Sequence, residues 1–174
     1  AWEREAGTAA MAFDAQGRRV AACPATSGEG LKDPGLRVLR IWDLESGRHE
    51  TYSLAHLTGA SWMGCYGRLF FARDGSLYAA WSPGGVFRLV LPREPSGLVS
   101  AETVHAAEQT RLRMSGDGRQ LLVLAGPAAG SYRFDQLLLF DLAARTSRRI
   151  TTHGERLTDA AFDASGRVIV TGDA

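Results

Sequence analysis

The stretch Phe13-Asp14-Ala15-Gln16-Gly17-Arg18 decides the fold, because it returns three times. It comes back as Phe71-Ala72-Arg73-Asp74-Gly75-Ser76, as Met114-Ser115-Gly116-Asp117-Gly118-Arg119, and as Phe162-Asp163-Ala164-Ser165-Gly166-Arg167. Each copy stands between two short apolar runs, such as Ala9-Ala10-Met11-Ala12-Phe13 before it and Arg19-Val20-Ala21-Ala22-Cys23 after it. Self-similarity at a spacing of about 43 to 58 residues is the signature of a repeat architecture. Two apolar runs joined by a few polar residues ending in Gly read as a β-hairpin. Gly17, Gly75, Gly118 and Gly166 fall where the chain re-enters the second strand. That place asks for a positive φ, which Gly reaches without strain. Asp14, Asp74, Asp117 and Asp163 read as turn residues that bond nearby backbone amides.

A third apolar run follows in each complete copy. It is Leu36-Arg37-Val38-Leu39-Arg40-Ile41-Trp42-Asp43-Leu44, then Val86-Phe87-Arg88-Leu89-Val90-Leu91, then Gln136-Leu137-Leu138-Leu139-Phe140-Asp141-Leu142. A more polar fourth run comes next, at 49–54, 98–105 and 146–153. Apolar content falls toward this last strand, as expected of a solvated edge. Four antiparallel strands per unit, repeated, predict the blades of an all-β propeller. The blades span about 8–54, 67–105 and 110–153, and a half-blade spans 157–174. The expectation is an incomplete ring, a fragment whose remaining blades belong to a longer chain.

The segment Arg40-Ile41-Trp42-Asp43-Leu44-Glu45-Ser46-Gly47 resembles the third-strand signature of bacterial WD-repeat β-propellers. Leu139-Phe140-Asp141-Leu142 is a weaker copy, and Leu89-Val90-Leu91-Pro92 has lost both Trp and Asp. Thr152-His153-Gly154 stands where that family places a His-bearing loop. The resemblance implies that His153, Thr171 and Asp173 belong to a structural hydrogen-bond tetrad. It implies that Trp42 is a core residue beside the Asp43 turn. Residues 146–154 with the hairpin after them also resemble propeller repeats of the Tol system.

The chain of 174 residues is 45% hydrophobic, enough to form a core. Its net charge of +1 gives no global field to steer nucleic acid or a membrane. No run of about 18 apolar residues is present to span a bilayer. All of the basic residues except Lys32 are Arg, which together with abundant Ala and Gly reads as coding bias rather than phosphate recognition. Cys23 and Cys65 are too few for a disulfide framework, so a reducing, cytoplasmic setting is expected.

Catalytic patterns are missing from the sequence. Ser61 follows Gly59, but Met63 stands where a nucleophile elbow needs its second Gly. Gly28-Glu29-Gly30 and Gly84-Gly85 lack a phosphate-loop lysine. His49, His56, His105 and His153 have no metal-ligand spacing. No cofactor and no metal are expected. Arg145, Arg148 and Arg149 read as a charged edge that deters strand pairing.

The irregular loop lengths point to a partner. The second-to-third-strand loops at 24–35 and 126–135 are long, as is the inter-blade connection at 55–66. Strand order puts all three on one rim, and insertions gathered on one face of a repeat protein mark a binding face. The expected contact residues are Lys32, His56, Trp62, Met63, Tyr66, Tyr132 and Arg133, large aromatics among single charges. The expected partner is a protein or peptide, and the expected role is a non-catalytic interaction scaffold or sensor. The resemblance implies fusion to a bacterial signalling domain such as a serine/threonine kinase. The alternatives are the propeller of a peptidase and a Tol-like periplasmic propeller. The opposite rim, with its tight turns, is expected to leave little room for specificity.

Overall fold

The computed structural model describes residues 8–24, 38–54, 57, 68–81, 85–107, 109–126, 134–150 and 157–173. Their regular structure is all β. The strands are β1 (Thr8–Phe13), β2 (Arg19–Pro24), β3 (Val38–Asp43), β4 (His49–Ser53), β5 (Arg68–Phe71), β6 (Leu77–Trp81) and β7 (Gly85–Val90). They continue as β8 (Ser100–His105), β9 (Gln109–Met114), β10 (Gln120–Gly126), β11 (Gln136–Asp141), β12 (Thr146–Ile150), β13 (Leu157–Phe162) and β14 (Ile169–Asp173).

Strands pair with their sequence neighbours. The sheets are β1-β2-β3-β4, β5-β6-β7-β8 and β9-β10-β11-β12, with β13-β14 as a hairpin of its own. Every pairing within them is antiparallel. First strands of successive sheets contact one another, β1 with β5, β5 with β9 and β9 with β13. Sheets fanning out from adjacent first strands make a partial β-propeller, three blades and half of a fourth.

The apolar core lies between blades. One cluster joins Ala12, Leu39 and Tyr52 of the first blade to Leu69, Leu77 and Val99 of the second. The next joins Val86 to Leu112, Leu121 and Val123. The last joins Leu122, Leu124 and Leu137 to Leu157 and Ala160. Side-chain alternation along β10 explains why it reads as an unbroken apolar run. Leu121 and Val123 serve the second-blade side, whereas Leu122 and Leu124 serve the half-blade side. Burying each such Leu stabilises by about 1.5–3 kcal/mol, so a blade depends on a neighbour at each face. The outer strand β12 is exposed along most of its length.

The turns follow from their residues. Gly17, Gly75, Gly118 and Gly166 have φ of 65°, 84°, 68° and 71°. The Asp14 carboxylate accepts from the Arg18 and Arg19 amides at 2.8 and 3.0 Å, and Asp163 accepts from those of Arg167 and Val168 at 3.0 Å each. In the third copy Ser115 holds that first place. Its hydroxyl donates to Asp117 at 2.7 Å and accepts from the Gln120 amide at 2.9 Å.

Two expectations need correction. Trp42 is only half-buried and lies outside all three core clusters. Its ring centroid is 5.9 Å from that of His49, its partner across β3 and β4. Leu98, expected in the outer strand of the second blade, instead bridges in parallel to Ser53 of the first blade. Ser96 donates to the Thr51 carbonyl at 2.7 Å, and Val99 donates to that of Ser53 at 2.9 Å. Asp43 and Asp141 tie down their own turn amides, from Ser46 at 2.7 Å and from Ala143 and Ala144 at 3.0 and 2.9 Å. The second blade has no Asp at that place, and its turn bonds the exposed edge of β4 instead.

Candidate interaction site

In an antiparallel meander the first and third turns of each blade emerge at one rim. At the boundary of blades two and three these turns are tied together by backbone hydrogen bonds. Arg73 donates to the Gly118 carbonyl at 2.9 Å, and Leu142 donates to the Arg119 carbonyl at 3.0 Å. Two hollows flank this frame. One, of about 350 Å³, is lined by Arg73, Asp74, Arg119, Leu142 and Ala143. The other, of about 290 Å³, is lined by Tyr78, Arg88, Glu102, Phe140, Leu142 and Arg145. Leu142 belongs to both, so the hollows adjoin across it. The tight-turn rim therefore carries two hollows, where the sequence reading expected little room.

Strand register builds the second hollow. Tyr78, Arg88 and Glu102 stand opposite one another across β6, β7 and β8. Phe140 and Ser147 form the facing row across β11 and β12. The Arg88 guanidinium donates to Glu102 at 3.2 Å and to the Ser76 hydroxyl at 3.4 Å. Burial pushes the Tyr78 phenol above its ordinary pKa. The Asp74 and Glu102 charges add to this, against the Arg88 and Arg145 cations. Beside the hollow, His105 meets Phe140 edge-on at 6.1 Å, and burial pushes its imidazole pKa down.

The cations and carboxylates of this groove are held differently. Asp74 accepts from the Ser76 amide and hydroxyl at 2.9 and 3.1 Å, Asp141 accepts turn amides, and Glu102 pairs with Arg88. Neither Arg73 nor Arg145 forms an ion pair with a described residue, and Arg119 is 3.9 Å from Asp117.

The sequence predicts Arg145 as part of a charged edge, together with Arg148 and Arg149. The structure places Arg145 in a turn with φ of 54°, lining the groove. A signal was present: aligning Asp43-Leu44-Glu45-Ser46-Gly47 with Asp141-Leu142-Ala143-Ala144-Arg145 puts Arg where the first blade has Gly. Tyr78 and Arg88 carry no local pattern, because only blade packing brings them to Arg145.

The expected contacts, Lys32, His56, Trp62, Met63, Tyr66, Tyr132 and Arg133, all lie outside the described residues, as does His153. Thr171 is exposed on β14, and Asp173 ends that strand opposite Leu157. Among the described residues no group of three or more His, Cys, Asp or Glu could hold a metal ion. Among the described residues there is no helix long and apolar enough to cross a membrane.

No family model matches the chain, and no curated protein does. Solved structures do. TolB from Acinetobacter baumannii superposes with a TM-score of 0.56 at 20% identity, over 95% of this chain and 37% of that one. The Cps50 (Swd1) β-propeller domain of Myceliophteria thermophila gives 0.57 at 14% identity, over 95% and 49%. Kuenenia stuttgartiensis hydrazine synthase gives 0.53 at 16%, over 93% and 42%. The chain thus spans less than half the length of each of these structures. At such identities the likeness is one of fold, and it agrees with the sheet order and the inter-blade core: the chain is a partial β-propeller.

Proposed function

We propose that this chain is a non-catalytic interaction module that captures a protein or peptide partner. The observation that carries the reading is the groove between blades two and three, a cleft fixed by backbone hydrogen bonds and edged by Arg73 and Arg145, which form no ion pair with a described residue. A rigid cleft binds without first having to be ordered, which favours recognition. The WD-repeat assignment belongs to this proposal and rests on residues 40–47. So do a cytoplasmic setting and a place in a longer bacterial signalling protein such as a serine/threonine kinase. The long-loop rim with Trp62 and Tyr132 is proposed as a second contact surface.

The likeness to TolB favours a second reading, a Tol-like propeller. The full-length gene separates the two: a kinase domain supports the first, a signal peptide the second. The interaction reading itself is tested with an array of peptides of mixed composition probed with the labelled chain. Saturable binding to a defined subset is expected. Uniform or absent binding across the array overturns it.

A further inference from the structure

We propose that the groove between the second and third blades binds an acidic, extended segment of a protein partner, with Arg145 anchoring a carboxylate. This rests on the interaction reading above.

The repeat supplies its own control. Asp43 and Asp141 open equivalent turns, each accepting from the amide three residues on, Ser46 at 2.7 Å and Ala144 at 2.9 Å. One residue later the first blade has Gly47 with φ of 69° and the third has Arg145 with φ of 54°. A side chain resists that conformation, and Gly meets it freely. Strain of this kind concentrates at functional sites. Here the strained residue lines a cavity together with Tyr78, on whose phenol its charge acts.

Charge and shape name the occupant. Arg73, Arg88, Arg119 and Arg145 line the joined hollows; Arg88 pairs with Glu102 at 3.2 Å and Arg119 lies 3.9 Å from Asp117, whereas Arg73 and Arg145 form no ion pair with a described residue. A guanidinium binds a carboxylate through directed paired hydrogen bonds. A phosphate polymer would meet Asp74, Glu102 and Asp141 as well, and would be repelled by them. Single carboxylates spaced along a chain can reach the arginines and avoid those acids. Two hollows adjoining across Leu142 suit an extended segment with side chains on either side of it. The bonds from Arg73 to Gly118 and from Leu142 to Arg119 hold the frame in place before binding.

The test is fluorescence anisotropy with the 174-residue chain and a labelled octapeptide of alternating glutamate and leucine, capped at both ends. A second octapeptide carries glutamine in place of glutamate, and oligothymidylate and inorganic phosphate serve as competitors. Arg145→Gly removes the guanidinium and leaves a residue suited to the turn, so the melting temperature is expected to hold or rise. Binding of the glutamate peptide is expected to weaken at least about tenfold, the loss of one charged hydrogen-bonded contact. Arg73→Gln should weaken it too. Arg167→Ala, in the half-blade turn and outside the lining of either hollow, makes the same change in net charge and should leave binding within about twofold.

The proposal is overturned if the glutamate peptide does not bind or the glutamine peptide binds as well. It is equally overturned if Arg167→Ala weakens binding as much as Arg145→Gly, or if oligothymidylate or phosphate displaces the peptide at similar concentration. If array peptides of another composition bind and Arg145→Gly leaves them unaffected, this groove is wrong while the interaction reading survives. If no array peptide binds, both fall.

Discussion

The amide of Arg73 donates to the carbonyl of Gly118 across 2.9 Å, from the first turn of one blade to the first turn of the next. This bond brings two tight turns so close that a Cβ on Gly118 would lie 2.9 Å from the Arg73 nitrogen. Gly118 is therefore needed twice, for its φ of 68° and for its missing side chain. Gly17 has a φ of 65°, but nothing lies within 4 Å of where its Cβ would be.

That contrast gives the first prediction. Gly17→Ala should cost about 1 kcal/mol, the penalty of the left-handed backbone alone. Gly118→Ala should cost about 2–3 kcal/mol, because the turns must also separate. Urea denaturation of the two variants checks this, and equal midpoints would remove the role of close approach.

Trp42 and Leu39 make the second pair. Leu39 is fully buried in the cluster between blades one and two, whereas Trp42 is half-buried beside His49. Leu39→Ala should cost about 2–5 kcal/mol. Trp42→Ala should cost less, about 1–2 kcal/mol, since part of its ring is already in water. A larger loss at Trp42 than at Leu39 would contradict the observed burial.

The half-blade is tied on by charge. Arg113 donates to both Asp159 oxygens at 3.0 and 2.8 Å, and Arg111 donates to the Thr158 carbonyl at 2.9 Å. The pair is partly exposed, so solvent screens it. A double-mutant cycle with Arg113→Ala and Asp159→Ala should give a coupling of about 0.5–1 kcal/mol, smaller in high salt. A coupling of zero at low salt would show that the Arg113–Asp159 pair does not help to hold the half-blade.

Acid should loosen the same hairpin. The Ser165 hydroxyl, then the Val168 and Arg167 amides, hold the Asp163 carboxyl down to about 2. An unfolded Asp titrates at about 3.9. The native pKa is the lower one, so the ionised carboxylate adds stability that is complete above the unfolded value. That stability drains away as pH falls through about 4 toward 2. Hydrogen exchange should show β13 and β14 losing protection across that window. Asp163→Asn should flatten the dependence. A hairpin with unchanged protection at pH 2 would refute the assignment.

Blade number, strand order and turn type were legible in the sequence, because each is a local property. A turn closed by Gly17 or Gly166 is specified by the few residues around it. The apolar alternation on either side fixes which strands must be covered. Trp42 misled because the motif that names it says nothing of what packs beside it. The groove between blades two and three was not legible, for the same reason. Tyr78, Arg88 and Arg145 come from two blades, and their meeting depends on how the second sheet packs against the third. The crossing of the loop around Leu98 to Ser53 likewise depended on a bare edge in a neighbouring blade. The chain by itself determined the repeating unit through short-range hydrogen bonds and side-chain alternation. Only the tertiary structure decided which surfaces those units leave open, because burial of one blade against the next is a long-range contact that no local pattern records.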